Sequence, residues 1–266
     1  MPQPSAEMFF ATAEHDNQKL VALGVHSHFN NPDDPQFGTI VETWREYLEQ
    51  EPVAPIAVTE GGAREPRFSD DPAVPDEVYA LRLDGEMRLL STLAGKANVP
   101  LITGEPMPAY SEIYDVLRQT GEAGVDPSVV FYYYFARNVP QWTRMEPQPS
   151  LDEFFDPNTN WGRNRLPRFS DLNADYSPST INATHQRLYG EPFDPMKVVT
   201  YDIDASHPDM QCVADTIYEQ RDRALGKTIV RLWNEGRSPF VLYHQGHLQS
   251  APVHVELAAL PFYTER

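Results

Sequence analysis

Short apolar segments alternate with segments of helical period along this chain, and that alternation restricts the fold more than any other feature. KLVALGV (19–25) reads as a buried strand. GTIVETWREYLEQ (38–50) follows, with Ile40, Trp44, Tyr47 and Leu48 on one helical face. VAPIAVTEGG (53–62) is a second strand, GEMRLLSTLAGKANV (85–99) a helix with Met87, Leu90, Leu93 and Ala94 inward, and PLITGEP (100–106) a third strand. Strand and helix in turn predict an α/β fold, a mainly parallel open sheet with helices on both faces.

The pattern continues with a helix at 111–124 and an aromatic strand, VVFYYYFARNV, at 129–139. MKVVTYDIDA (196–205) reads as a strand, 209–236 as the longest helix, and SPFVLYHQGHL (238–248) as a strand running into a His-rich loop. In that long helix Ile217, Leu225, Ile229 and Leu232 form the expected buried stripe. VHVELAALPFY fits either a last strand or a short helix. Residues 140–197 differ, being rich in proline, asparagine and aromatics, and are too long for a plain connection. They are read as an inserted Pro-rich lobe or lid, with short helices near 150–155 and 179–188, in a single α/β domain spanning 1–266. Trp142 and Trp161 of that lobe are expected to contact an apolar substrate. PRFSD occurs twice, in REPRFSDDP (64–72) and RLPRFSDLN, and two similar loops are the only physical account of it.

Polar residues collect where strands stop. His26 and His28 follow the first strand, Glu60 the second, Glu105 the third, and His244 and His247 the late one. In a parallel sheet those exits share one edge, so side chains distant in sequence meet there. A carboxylate beside an imidazole orients it and raises its basicity, and such a pair deprotonates water near neutral pH. Two histidines and one or two glutamates also suit a divalent metal, for which His26, His28, Glu60 and His247 are the candidates. Arg221 and Asp222 lie on the long helix, where an arginine near several carboxylates holds them ionised. His15, His185, His207 and His254 lack a comparable setting.

The 39 acidic and 21 basic residues give a formal charge of −18, which repels phosphate backbones and anionic membranes. Neither nucleic acid nor a membrane is expected as a partner; a small-molecule substrate is. Cys212 is the only cysteine, so no intrachain disulfide or thiolate cluster forms. MPQPSAEMFFATAEHDN lacks the basic and apolar regions of a signal peptide, and a cytoplasmic, reduced protein is expected. Serine-elbow, dinucleotide, phosphate-loop and H-E-x-x-H motifs are absent; the lone G-K-T at 226–228 falls inside a predicted helix.

ALGVHSH, VTEGG, EMRLLSTLAGKANVPLITGEP, QRDRALGKTIVRLWNEG and FVLYHQGHL resemble, in order and setting, the erythromycin-esterase/ChaN-like superfamily, with TraB and TIKI proteins as more distant relatives. The resemblance spans most of the chain outside 140–197. It implies an α/β core with a cleft at the sheet edge, His28 as general base for water with Glu60 orienting it, and His247 and Arg221 positioning and stabilising substrate. His26, Glu105, Asp222 and His244 would line the substrate site. The esterase pattern G-E-x-x-H is broken here, because Val25 stands where the glutamate belongs. Three readings follow. The first is a hydrolase of an ester, lactone or related bond in a small molecule. The second is a metal-dependent hydrolase using H-S-H, with His207, Asp202 and His247 as further ligand supplies. The third is a non-catalytic protein that binds a small molecule or haem. No cofactor is firmly expected, a divalent metal stays open, and the oligomeric state is not legible.

Overall fold

A computed structural model of the chain describes residues 8–61, 64–106, 112–143 and 175–265, with 148, 150 and 153. In chain order the elements are β1 (Phe9–His15), β2 (Gln18–Val25), α1 (Pro35–Glu49), β3 (Pro55–Thr59), α2 (Asp76–Lys96), β4 (Leu101–Thr103), α3 (Ile113–Glu122), α4 (Pro127–Ala136), α5 (Val139–Trp142), α6 (Pro178–Tyr189), α7 (Pro195–Val198), α8 (Pro208–Asn234), β5 (Ser238–His244), α9 (Gln245–Leu248), α10 (Ala251–Ala258) and β6 (Thr264–Glu265). They divide into two compact units. One is Met1–Pro106 with Arg221–Arg266, the other Met107–Gln220.

The first unit is built on a mixed, mostly parallel six-stranded sheet of order β4-β3-β5-β2-β1-β6. β2, β5, β3 and β4 run parallel, whereas β1 pairs antiparallel with β2 and β6 antiparallel with β1. Side chains alternate across the sheet as the pleat requires. Val21, Leu23, Ala57, Phe240 and Leu242 pack with Ile40, Trp44 and Tyr47 of α1 and with Leu89, Leu90 and Leu93 of α2. Their neighbours Leu20, Ala22, Val58, Val241 and Tyr243 pack with Leu225, Ile229 and Leu232 of α8 and with Val253 and Leu257 of α10. Helices therefore cover both faces. Phe240 is fully buried, its ring 4.9 Å edge-on from Trp44 and 5.4 Å from Tyr47. Truncating it to alanine removes roughly 3–5 kcal/mol.

The second unit has its own core. α4 is buried along its whole length from Val129 to Ala136, and Ile113 and Val116 of α3, Ile181 of α6 and Val213 of α8 belong to the same cluster. The strand expected at 129–139 is thus a helix. Asp126 caps it by accepting from the Ser128 amide at 2.8 Å, Pro127 occupies its first turn, and burial on all sides erases the helical period from the sequence. The strand expected at 196–205 is also absent: Asp194 and Pro195 start the one-turn helix α7, followed by turns. Trp142, expected to face substrate, is buried in this core.

Other expectations need smaller changes. β5 stops at His244 and QGHL is a helical turn. VHVELAALPFY resolves mostly to helix α10. FFATAEH forms β1, an antiparallel strand not anticipated; a two-residue turn at Asp16–Asn17, with Asp16 at φ +54°, returns it to β2. The helix expected at 179–188 is α6. Within 140–197, residues 144–147, 149, 151–152 and 154–174 lie outside the described residues, and with them most of the helix expected near 150–155, Trp161 and the second PRFSD. Among the described residues, no helix is long and apolar enough to cross a membrane.

Candidate functional site

β5 is the last parallel strand in sequence, yet it lies between β2 and β3. Val25 aligns with His244, Thr59 with Leu242, and Thr59 with Thr103. The exits of all four parallel strands consequently meet at one rim. Gly24 lets α9 fold back over that rim, since a Cβ there would stand 2.9 Å from the Gln245 Cα.

Glu60 leaves β3 into a dense polar network. One carboxylate oxygen accepts from the His244 amide at 2.9 Å; the other lies 3.4 Å from Arg221 Nη2 and 3.5 Å from His247 Nε2. Arg221 also grips Glu105 with both arms of its fork, Nε to Oε2 at 2.7 Å and Nη2 to Oε1 at 2.6 Å. His247 Nδ1 bonds Asp222 at 2.6 Å. Burial alone would raise the Glu60 carboxyl, but the hydrogen bonds from His247 and the His244 amide, with the charges of His247 and Arg221, pull it down to about 2. Burial likewise opposes the His247 imidazolium, yet the bonds to Asp222 and Glu60 prevail and hold it up to about 9. Burial disfavours the charge on Arg221 too, but Glu105 and Glu60 outweigh it and its pKa is raised.

His28 belongs to a second pair. Its Nδ1 is hydrogen-bonded to Glu86 Oε1, and the other Glu86 oxygen accepts from the Phe29 amide at 3.4 Å. Glu86 is 4% exposed whereas the His28 side chain is more than half exposed, so a buried carboxylate anchors a solvent-facing ring. That bond to Glu86 raises the His28 pKa above 6.5 against the opposing effect of burial. Glu86 reaches this place through a break in α2, where Asp84 and Gly85 leave helical geometry. Gly85 has φ +65° and a Cβ there would stand 2.9 Å from the Phe29 carbonyl, so both the turn and the close approach require glycine. The two halves of α2 and the chain after His28 line an open cleft of about 460 Å³, with His28, Phe29, Leu83, Asp84, Glu86 and Met87 among its residues.

The rim therefore gathers His28, Glu60, Glu105, Arg221, Asp222, His244 and His247. Their pairing differs from expectation, because Glu86 orients His28 while Glu60 is spent on His244, His247 and Arg221. His244 Nδ1 accepts from the Gly246 amide at 3.3 Å and its Nε2 faces the His26 carbonyl at 3.3 Å, which makes the ring a brace between loops. His26 joins through its backbone, its amide donating to Gln36 at 2.8 Å. The His28 and His244 rings are 5.9 Å apart and those of His244 and His247 6.3 Å. His207 caps α8 by accepting from the Asp209 amide at 3.1 Å, and Asp202 is exposed. Among the described residues no group of three or more His, Cys, Asp or Glu is placed to hold a metal ion. Arg221 already fills the space between Glu60 and Glu105 with positive charge.

Glu86 is the candidate site residue that sequence reasoning missed, and a signal for it exists. It stands three, four and seven residues before Leu89, Leu90 and Leu93, all buried. An acid in the apolar stripe of a helix needs a partner, because an unpaired buried charge is costly.

No family model matches the chain, and neither a curated protein nor a solved structure matches it.

Proposed function

We propose that this chain is a hydrolase that cleaves an ester, lactone or related bond of a small molecule with water activated at His28. The observation that carries the reading is the His28–Glu86 pair on the wall of the 460 Å³ cleft. A carboxylate bonded at Nδ1 fixes that proton there and leaves the Nε2 lone pair to accept one from water. The water oxygen adds to the acyl carbon as its proton passes to Nε2. The bond to the leaving oxygen then breaks, and the imidazolium returns the proton to it, so acid and alcohol are the only products. Arg221, Glu105 and Asp222 act at a distance as positioning residues. Arg221, gripped by Glu105, helps hold Glu60 ionised and Asp222 holds His247 protonated, and the His247 charge favours the negative charge that develops on the substrate.

The order of motifs supports placing the chain near the erythromycin-esterase/ChaN-like hydrolases, with Glu86 supplying the carboxylate that Val25 does not. The composition supports a cytoplasmic setting and a small-molecule partner. The test is a panel of ester and lactone substrates. His28→Ala is expected to lower kcat/KM roughly 10²-fold or more. Equal turnover by His28→Ala and the unaltered chain would remove the base from the scheme.

A further inference from the structure

The cleft beside His28 has an unusual lining for a site that handles an ester. Besides His28 and Asn30 its wall holds three apolar side chains, Phe29, Leu83 and Met87, and two carboxylates, Asp84 and Glu86, but no lysine or arginine among the described residues. The guanidiniums nearby lie behind the wall and do not line it. Arg64 and Arg88 pair with the wall carboxylate Asp84 at 3.1 Å and 3.5 Å, Arg88 also meets the Glu65 carbonyl at 2.5 Å, and Arg82, next to Leu83 in the chain, is exposed outside the lining. Leu83 is 51% exposed, one of the most exposed large aliphatic side chains of the helices, and it sits at this cleft rather than on an ordinary polar face. The break at Asp84–Gly85 puts it there, by ending the first half of α2 at the cleft wall beside Phe29.

We propose that this cleft is an acyl subsite that takes the uncharged, apolar acyl chain of the substrate and rejects chains ending in a carboxylate, with Leu83 setting the preference. The inference rests on the reading of His28 as the working base, which the same cleft presents to the bond being cut. An apolar chain entering here exchanges water for Leu83, Phe29 and Met87. A terminal carboxylate would instead lose its water shell against these apolar side chains, with no lysine or arginine among the described lining residues to receive it.

The experiment has a turnover arm and a binding arm. The first measures kcat/KM for 4-nitrophenyl acetate, butyrate, hexanoate and octanoate. The second measures, by calorimetry, binding of acetamide, butanamide, hexanamide and octanamide, and of hexanamide carrying a terminal carboxylate. Each added methylene is expected to strengthen both by about fourfold until the cleft is full. The carboxylate-ended amide is expected to bind at least tenfold more weakly than hexanamide. Leu83→Asn, an exposed position where circular dichroism should be unchanged, is expected to weaken the longer members about fivefold more than the acetyl members. Flat binding along the amides, equal binding of the carboxylate-ended amide, or indifference to Leu83→Asn overturns the subsite. No ester turnover with the amide trend intact overturns the hydrolase reading and leaves the subsite standing.

Discussion

At the scale of single residues, two imidazoles of the rim are tuned in the same direction for different ends. His28 gains basicity from Glu86, and His247 is held as a cation by Asp222 and Glu60. A base works in its neutral form, so activity is expected to rise with pH as His28 loses its proton, along a limb centred above pH 6.5. Activity should then fall as His247 loses its charge near pH 9. Asp222→Asn removes the nearer carboxylate from His247 and should bring the alkaline limb to lower pH; an alkaline limb that stays in place assigns it to another group. The sign for stability follows from linkage. The raised pKa of His247 stabilises the fold fully below 6.5, and that contribution is lost as pH rises toward about 9. Glu60 contributes in the opposite window, present above its ordinary value and lost as pH falls toward about 2.

At the scale of elements, the break in α2 decides whether the site exists. Gly85→Ala combines a left-handed backbone with a Cβ 2.9 Å from the Phe29 carbonyl, and should lower stability by more than ~1 kcal/mol in a urea titration. Activity should fall with it, because Phe29 follows His28; an unchanged midpoint and unchanged turnover would show that the break is not rigid. The same element marks where sequence reading succeeds and stops. The strands expected at 19–25, 53–62 and 100–106 were legible because short apolar runs bounded by turn residues mark strands covered on both faces, and the long helix because its apolar stripe is intact. β5 could be found as a strand but not placed between β2 and β3, since pairing order leaves no local trace. α4 misled because a helix buried on every side and a buried strand both read as an apolar run. Convergence of His28, Glu60 and His247 at one rim followed from strand exits alone, whereas Arg221 entered from the long helix. Which acid serves which imidazole did not, because Glu86 comes from mid-helix and reaches His28 only through the kink.

At the scale of the whole molecule, the two units should respond differently to acid. In the second unit His185 is fully buried, its Nδ1 bonded to the Tyr132 hydroxyl at 2.6 Å and its Nε2 without a hydrogen-bond partner among the described residues. Burial lowers its pKa below 6.5. The unfolded chain therefore takes up a proton before the folded one does, and stability is full above pH 6.5 and declines as pH falls through the lowered value. Hydrogen exchange should accordingly quicken in residues 178–203 between pH 7 and pH 5, after correction for the intrinsic rate; constant protection there would mean that His185 does not govern this unit's response. The charge of −18 acts on both units alike, and self-repulsion should make the whole chain more stable as salt screens it.

The central claim is that a buried glutamate in the kinked helix makes His28 a base, and comparing pH–rate profiles of the unaltered chain and Glu86→Gln on one ester addresses it most directly. Removing the negative charge lowers the His28 pKa, so the variant's acid limb should move to lower pH while its plateau drops. Profiles that superimpose in both position and height would contradict the account.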